Sequence, residues 1–119
     1  MSYIDGFIAA VPIGQRDAFQ RHSEKFAGFL HEFGALRVVD CWGDDVPHGK
    51  LTDMYMAVQA RPDESVFLSW IEWPSKEARD AGMARMMADP RMKSDGAKMP
   101  FDGQRMIFGG FQPLHDSKA

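Results

Sequence analysis

The segment that most constrains the fold is the apolar run VFLSWIEW at residues 66–73, in which Ser69 and Glu72 are the only clearly polar residues. Side chains alternate between the two faces of a β-strand, so Trp70 and Trp73 are predicted to point to opposite faces. An antiparallel sheet with helices on one side usually presents a polar second face to water. This run instead predicts a sheet that is apolar on both faces, each of which needs a covering layer.

The order of the predicted elements is β-α-β-(β)-β-α-β. Apolar runs and turn residues predict strands at 3–11, 35–43, 66–73 and 105–113, a weaker strand at 52–60, and helices at 15–33 and 75–88. This order is typical of the ferredoxin-like split βαβ sandwich, an α+β fold with two helices on one face of an antiparallel sheet. At 119 residues the chain is predicted to form a single domain, 1–119.

Two helices can cover only one face of such a sheet. The other face would expose an apolar patch, and patches of that size usually mark an interface. A second copy of the chain, packed sheet to sheet with twofold symmetry, is the simplest cover. The sequence therefore predicts a homodimer.

Three local features carry further expectations. An alanine stripe in the second helix is expected to pack closely on the sheet, with Ser75 as the N-cap. The long connection at 90–103 can form a lid or hold a short helix. The pair Gly109-Gly110 leaves the last strand without side chains, so either an aromatic residue from a neighbouring layer fills the gap or a ligand approaches the backbone there.

Composition excludes several classes of partner. The net charge is −3 and lysines and arginines are scattered among acids, which argues against nucleic-acid binding. No apolar window reaches the roughly 18 residues of a membrane helix. Cys41 is the only cysteine, so no intrachain disulfide can form, which favours a cytoplasmic location.

Polar residues within apolar strands are the best candidates for chemistry. Such a carboxylate must find a partner or shift its pKa. Asp40 shares a strand face with Trp42, as Glu72 does with Trp70, and His22 lies in the apolar stripe of the first helix. If those faces line a barrel, these groups converge on one cavity. The candidate bases are Asp40, Glu72 and His22, and the candidate ligand contacts are Trp42, Trp70 and Arg105.

A structural role for the same residues remains open. Asp40 and Glu72 can pair with Arg37, Arg105 or backbone amides, and His22 can be a buried histidine with one hydrogen-bond partner. The sequence has no phosphate-binding glycine loop, no dinucleotide fingerprint and no zinc-protease or calcium-loop spacing. We therefore expect neither a metal nor a cofactor.

Five long runs resemble a known family. YIDGFIAAVP, FGALRVVDCWGDDVPHGKLTD, SWIEWPSKEARD, MMADPRMK and MPFDGQRMIFGGF are similar to the bacterial YbaA-like family of unknown function, and together they span nearly the whole chain. The resemblance implies a dimeric α/β barrel, in which two ferredoxin-like sheets close into one barrel. It brings no established activity with it.

Three functions stay open at this point. The favoured one is a small cytoplasmic homodimer that binds a small, partly apolar molecule in its barrel. The second is a cofactor-independent enzyme, of monooxygenase or isomerase type, with a carboxylate or histidine as base. The third is a structural or interaction module with a filled barrel.

Overall fold

The computed structural model describes residues 2–95 and 99–119, and within them the chain forms one four-stranded antiparallel sheet. The elements are β1 (Tyr3–Pro12), α1 (Arg16–Glu32), β2 (Arg37–Trp42), α2 (Met54–Ala57), β3 (Glu64–Trp73), α3 (Lys76–Ala88), α4 (Pro90–Asp95) and β4 (Ile107–Phe111). The strand order β2-β3-β1-β4 is that of a ferredoxin-like split βαβ sandwich. The predicted α+β fold is confirmed.

Two connecting segments contain short helices. The weak strand predicted at 52–60 is wrong, because Asp53 accepts a 2.6 Å hydrogen bond from the Met56 amide and starts the short helix α2 there. The connection at 90–103 holds α4 and a 3₁₀ turn at Gly103–Arg105. Residues 96–98 of that connection lie outside the described residues.

The helix-covered face, which α1 and α3 pack against, holds the largest part of the core. Its main cluster consists of Leu30, Phe33, Ala35, Ile71, Trp73 and Met86. The hydroxyl of Ser75 caps α3 as predicted, accepting a 3.0 Å hydrogen bond from the Ala78 amide. The prediction that the alanine stripe of this helix packs on the sheet is wrong, however. Gly82 and Met86 are the buried residues of α3, and a Cβ at Gly82 would lie 2.8 Å from the Trp73 ring, so this glycine permits the close approach.

The opposite face, called the second face below, is only half covered by the chain itself. The segment 43–60 packs on one end of it through a cluster centred on Ala10, Val58 and Val66. The other end is called here the bare half-face, and its apolar residues are Ile4, Val39, Leu68, Trp70, Ile107 and Phe111. Among them Phe111 is 59% exposed, Ile107 44% and Leu68 42%. Half of this face thus has the second layer that the sequence was expected to lack.

The two adjacent glycines of β4 serve different faces. Gly109 pairs with Gly6 on the second face, and the Phe111 ring lies 3.5 Å from where a Cβ would stand at either glycine. Gly110 lies on the helix-covered face beneath Tyr3 and Arg79, which a Cβ would strike. An aromatic ring does fill the gap at Gly109, but it comes from the same strand.

Candidate functional site

The pairing of β2 with β3 decides which of the predicted site residues can meet. Asp40 lies opposite Ser69 in the ladder. Because side chains alternate along a strand, Asp40 and Trp42 lie on the helix-covered face, whereas Trp70 and Glu72 lie on the second face. The expectation that these four residues would line a single cavity is therefore wrong.

Asp40 is joined to a buried serine that the sequence had not singled out as a site residue. The Ser69 hydroxyl donates a 2.6 Å hydrogen bond to Asp40 Oδ1. Ser69 is buried, while Asp40 on the edge strand is exposed. The serine therefore fixes one carboxylate oxygen and leaves the other open to solvent or to a ligand.

His22 of α1 lies close enough to Asp40 for the two charges to interact. It is half-buried, and its ring stacks on Phe26 with centroids 5.9 Å apart. Burial lowers the pKa of His22 below its ordinary value, the negative charge of Asp40 partly offsets this, and Lys25 lowers the pKa further. The lowered pKa favours the neutral imidazole, which can accept a proton. We call these three residues the His22–Asp40–Ser69 group.

An aromatic cluster adjoins this group. Trp42, two residues along β2 from Asp40, packs on Phe19 with ring centroids 5.8 Å apart, and the Arg16 guanidinium lies 5.8 Å above its ring. Phe19 in turn contacts Phe67 at 4.6 Å. A cation above an indole ring is attracted to its electron-rich face. The neighbourhood thus combines an apolar surface with one carboxylate and one neutral base.

The other two predicted residues form a separate polar trio on the second face. The Trp70 indole donates a 3.2 Å hydrogen bond to Glu72 Oε2, and Arg37 lies 3.7 Å from the same oxygen. The pairing of Glu72 with Arg37 is the structural alternative that the sequence left open. Both residues remain partly exposed beside the bare half-face.

Arg105 has a structural role. Its guanidinium makes a bidentate pair with Glu64, with both N–O distances 2.7 Å, and also donates to Asp102 and to the Gln59 carbonyl. The bond from Arg105 lowers the pKa of the nearly buried Glu64 to about 2. A ligand would have to break these bonds, so this geometry does not support the ligand contact predicted for Arg105.

Asp5 is one more polar residue within an apolar strand, and its partners were not predicted from the sequence. Trp73 donates a 2.9 Å hydrogen bond to the buried Asp5 carboxylate, Arg79 lies 3.4 Å from its other oxygen, and Arg79 also donates to the Tyr3 hydroxyl at 3.0 Å. Burial raises the pKa of Asp5, and Arg79 and Trp73 oppose that shift. Two sequence signals point to this network: the carboxylate within an apolar strand, and Gly110, whose missing side chain makes room for Arg79 and Tyr3.

An open depression of about 560 Å³ adjoins this network, at the start of α3. Its lining includes Tyr3, Ser75, Lys76, Gly110 and Gln112. Gly110 belongs to the glycine pair at which the sequence left a ligand approach open, whereas none of the predicted bases or ligand-contact side chains lies in this lining. Within residues 2–95 and 99–119, no three His, Cys, Asp or Glu side chains are placed to hold a metal ion. None of the helices described is both long and apolar enough to cross a membrane.

These elements define the chain as a ferredoxin-like α+β protein in which a histidine, a carboxylate and a serine lie beside aromatic residues. Residues 2–103 match the family described as "Protein of unknown function (DUF1428)". The "Uncharacterized protein YbaA" of Escherichia coli strain K12 is 56% identical over 116 residues, which cover 98% of this chain and 99% of that protein. A protein of the same description in Shigella flexneri is equally similar. The chain therefore belongs to this family, as its motifs indicated.

Solved structures of low sequence identity share the fold. A variant of SnoaB, a cofactor-independent oxygenase from Streptomyces nogalater, superimposes with a TM-score of 0.61 at 11% identity, covering 97% of this chain and 95% of SnoaB. A dimeric ferredoxin-like protein from an uncultured marine organism gives 0.57 at 9% identity, covering 98% of both chains. An uncharacterized NIPSNAP-like domain protein from Burkholderia xenovorans gives 0.59 at 12% identity, covering 99% and 90%. At these identities the likeness concerns the fold.

Proposed function

We propose that the protein is a cytoplasmic homodimer that binds a small, partly apolar molecule at the His22–Asp40–Ser69 group. The observation that carries the proposal is the placement of a neutral imidazole and a half-fixed carboxylate on the helix-covered face, next to Trp42. Sites for small molecules typically combine apolar and aromatic walls with a few placed polar groups. The ligand expected here has a flat apolar part and a group that donates a hydrogen bond.

The bare half-face is the main argument for the proposed homodimer. Phe111, Ile107 and Leu68 expose apolar surface on one side of the sheet, and no described segment of the chain covers them. The fold neighbour that is described as a dimeric ferredoxin-like protein supports the same assembly. In such a dimer Trp70 and Glu72 face the contact between the sheets, while His22 and Asp40 stay on the outer, helix-covered side.

A fragment screen followed by NMR chemical-shift titration tests the binding site. We expect hits to shift the amides of α1 and β2, and His22→Phe and Asp40→Asn to weaken their binding about tenfold or more, since the first removes the imidazole nitrogens and the second the carboxylate charge. Glu72→Gln on the opposite face is the matched control and should leave the affinity unchanged. The proposal fails if Glu72→Gln abolishes binding while Asp40→Asn has no effect, because the ligand would then lie on the second face.

A cofactor-independent enzyme is the second candidate, and one observation favours it. The lowered pKa of His22 leaves a base ready at neutral pH beside a carboxylate that would stabilise its protonated form. The description of SnoaB as a cofactor-independent oxygenase makes such an activity worth testing. Turnover that is lost in His22→Gln while binding is retained would establish catalysis. Binding without turnover leaves the binding protein as the function, and absence of both favours a structural module.

A further inference from the structure

The loop at 43–53 presents a leucine to solvent at a fixed position. Leu51 is 98% exposed, yet the residues around it are tightly organised. Asp53 accepts hydrogen bonds from the amides of Gly49, at 2.9 Å, and Met56, and the His48 ring stacks on Tyr55 with centroids 4.4 Å apart. A leucine held in water by a well-ordered turn contributes nothing to the subunit's own core.

The base of this loop is anchored on the second face. The Gly43 amide donates a 2.8 Å hydrogen bond to the Val66 carbonyl, and a Cβ at Gly43 would lie 2.9 Å from that same oxygen. Val46 packs on the cluster of Ala10 and Val66. The segment that carries Leu51 therefore covers one half of the face whose other half is bare.

The loop and the bare half-face are each bordered by charges of both signs. Exposed Lys50 precedes Leu51, and Asp44 and Asp45 are exposed where the loop begins. The bare half-face has Glu72 and the exposed Arg37 at its border. Each surface thus offers an apolar centre with charges of both signs, which suits a second copy better than a uniformly charged partner. The 43–60 segment and the bare half-face lie side by side on the second face, so a second copy packed on this face by a twofold axis would meet both.

We infer that the 43–53 loop is a reciprocal docking arm, in which Leu51 packs on the bare half-face of a second copy of this chain. The inference deepens the proposed homodimer and rests on it. Leu51 is then an interface anchor. The subunit does not need this leucine to fold, and the candidate site does not include it.

Two leucines that are equally exposed make a matched test. Leu51 and Leu114 are both 98% exposed, but Leu114 follows the end of β4 that pairs with Ile4, whereas the loop packs at the opposite end of β1, near Ala10. We expect Leu51→Asp to raise the dimer dissociation constant about tenfold or more in sedimentation equilibrium, and Leu114→Asp to leave it within about twofold. A dimeric wild type with an unchanged dissociation constant in Leu51→Asp overturns the inference. A monomeric wild type overturns the proposed homodimer itself.

Photo-cross-linking provides a readout that does not depend on weakening the dimer. Protein that carries a benzophenone side chain at position 51 is prepared in ¹⁴N- and ¹⁵N-labelled forms, and the two forms are mixed before irradiation. We expect mixed-isotope cross-links to peptides that contain 37–42, 68–72 or 107–111. Cross-links confined to single chains, from protein that is dimeric before irradiation, contradict the docking of Leu51.

Discussion

The two faces of the sheet differ in how they are covered, although the strands supply apolar residues to both. On the helix-covered face Trp73 is fully buried, and its indole donates to Asp5. On the second face Trp70 is only half-buried, and its indole donates to Glu72, which is partly exposed. The same residue type, three positions apart, is a core residue on one face and a surface residue on the other.

This difference shows that an alternating apolar pattern predicts which face of a strand must be shielded from water. It does not predict whether the shielding layer belongs to the same chain or to a second one. The helices α1 and α3 reach most of one face, and the 43–60 segment reaches half of the other. In the proposed homodimer, a second copy of the chain covers the remaining half-face. Substitutions on the two faces should therefore affect different equilibria, folding in one case and dimerisation in the other.

The largest effect is expected from truncating the two tryptophans. Trp73→Ala removes a fully buried ring and leaves Asp5 without its donor, so the free energy of unfolding should fall by about 3–5 kcal/mol. Trp70→Ala should cost about 1 kcal/mol in the subunit and weaken the dimer instead. Urea denaturation followed by circular dichroism, at several protein concentrations, separates the loss of stability in the subunit from the loss at the dimer contact. Equal losses of stability would show that the two faces do not differ.

A buried ion pair on the covered half of the second face should give the next largest effect. Glu64→Gln leaves the Arg105 guanidinium without its main partner, and we expect a loss of about 3 kcal/mol at pH 7. Asp102→Asn, which alters an exposed partner of the same arginine, should cost under about 1 kcal/mol. A similar loss in both variants would contradict a special role for the buried pair.

The same pair makes a prediction about acid. Arg105 lowers the pKa of Glu64 from 4.5 to about 2. The stability that the Glu64 carboxylate adds to the folded state is therefore complete above its unfolded pKa of 4.5. That contribution is lost as the pH falls through the interval from 4.5 to about 2. Denaturation curves at several pH values should therefore show a smaller decline in Glu64→Gln than in the wild type. Parallel declines would indicate that the pKa of Glu64 is not lowered.

The adjacent glycines provide a finer comparison of the two faces. A Cβ at Gly110 would strike Tyr3 and the Arg79 guanidinium, whereas a Cβ at Gly109 would meet only Phe111 at an ordinary 3.5 Å. We expect Gly110→Ala to cost about 1–3 kcal/mol and Gly109→Ala less than about 1 kcal/mol. Thermal melts of the two variants make the comparison. The reverse order would mean that the Asp5–Arg79–Tyr3 network can readily move aside.

The smallest expected effect is a shift in the titration of His22. Its pKa, measured from the imidazole proton resonances, should lie below 6.5 because the ring is partly buried. Asp40→Asn removes a nearby negative charge and should lower that pKa further, while Glu72→Gln on the other face should not change it. A pKa of His22 above 6.5, or one that does not change in Asp40→Asn, would contradict the placement of His22 in the His22–Asp40–Ser69 group.

Much of the fold could be predicted from local patterns. The apolar spacing of Phe19, Phe26 and Leu30 predicts α1, and Ser75 predicts the start of α3. The site could not be predicted in the same way, because Asp40 meets Ser69 through a pairing of strands that local periodicity does not specify. Asp53 is a similar case, since its bonds to two amides turn an alternating segment into a helix.

Sedimentation equilibrium of the unmodified protein tests the central claim, that a second copy covers the bare half-face, most directly. The chain has a mass of 13.4 kDa. Over a range of roughly 1 to 100 µM, where interfaces of standard size are occupied, we expect a species of twice that mass. A single species of 13.4 kDa at every concentration would contradict the account, because Phe111, Ile107 and Leu68 would then remain exposed to water.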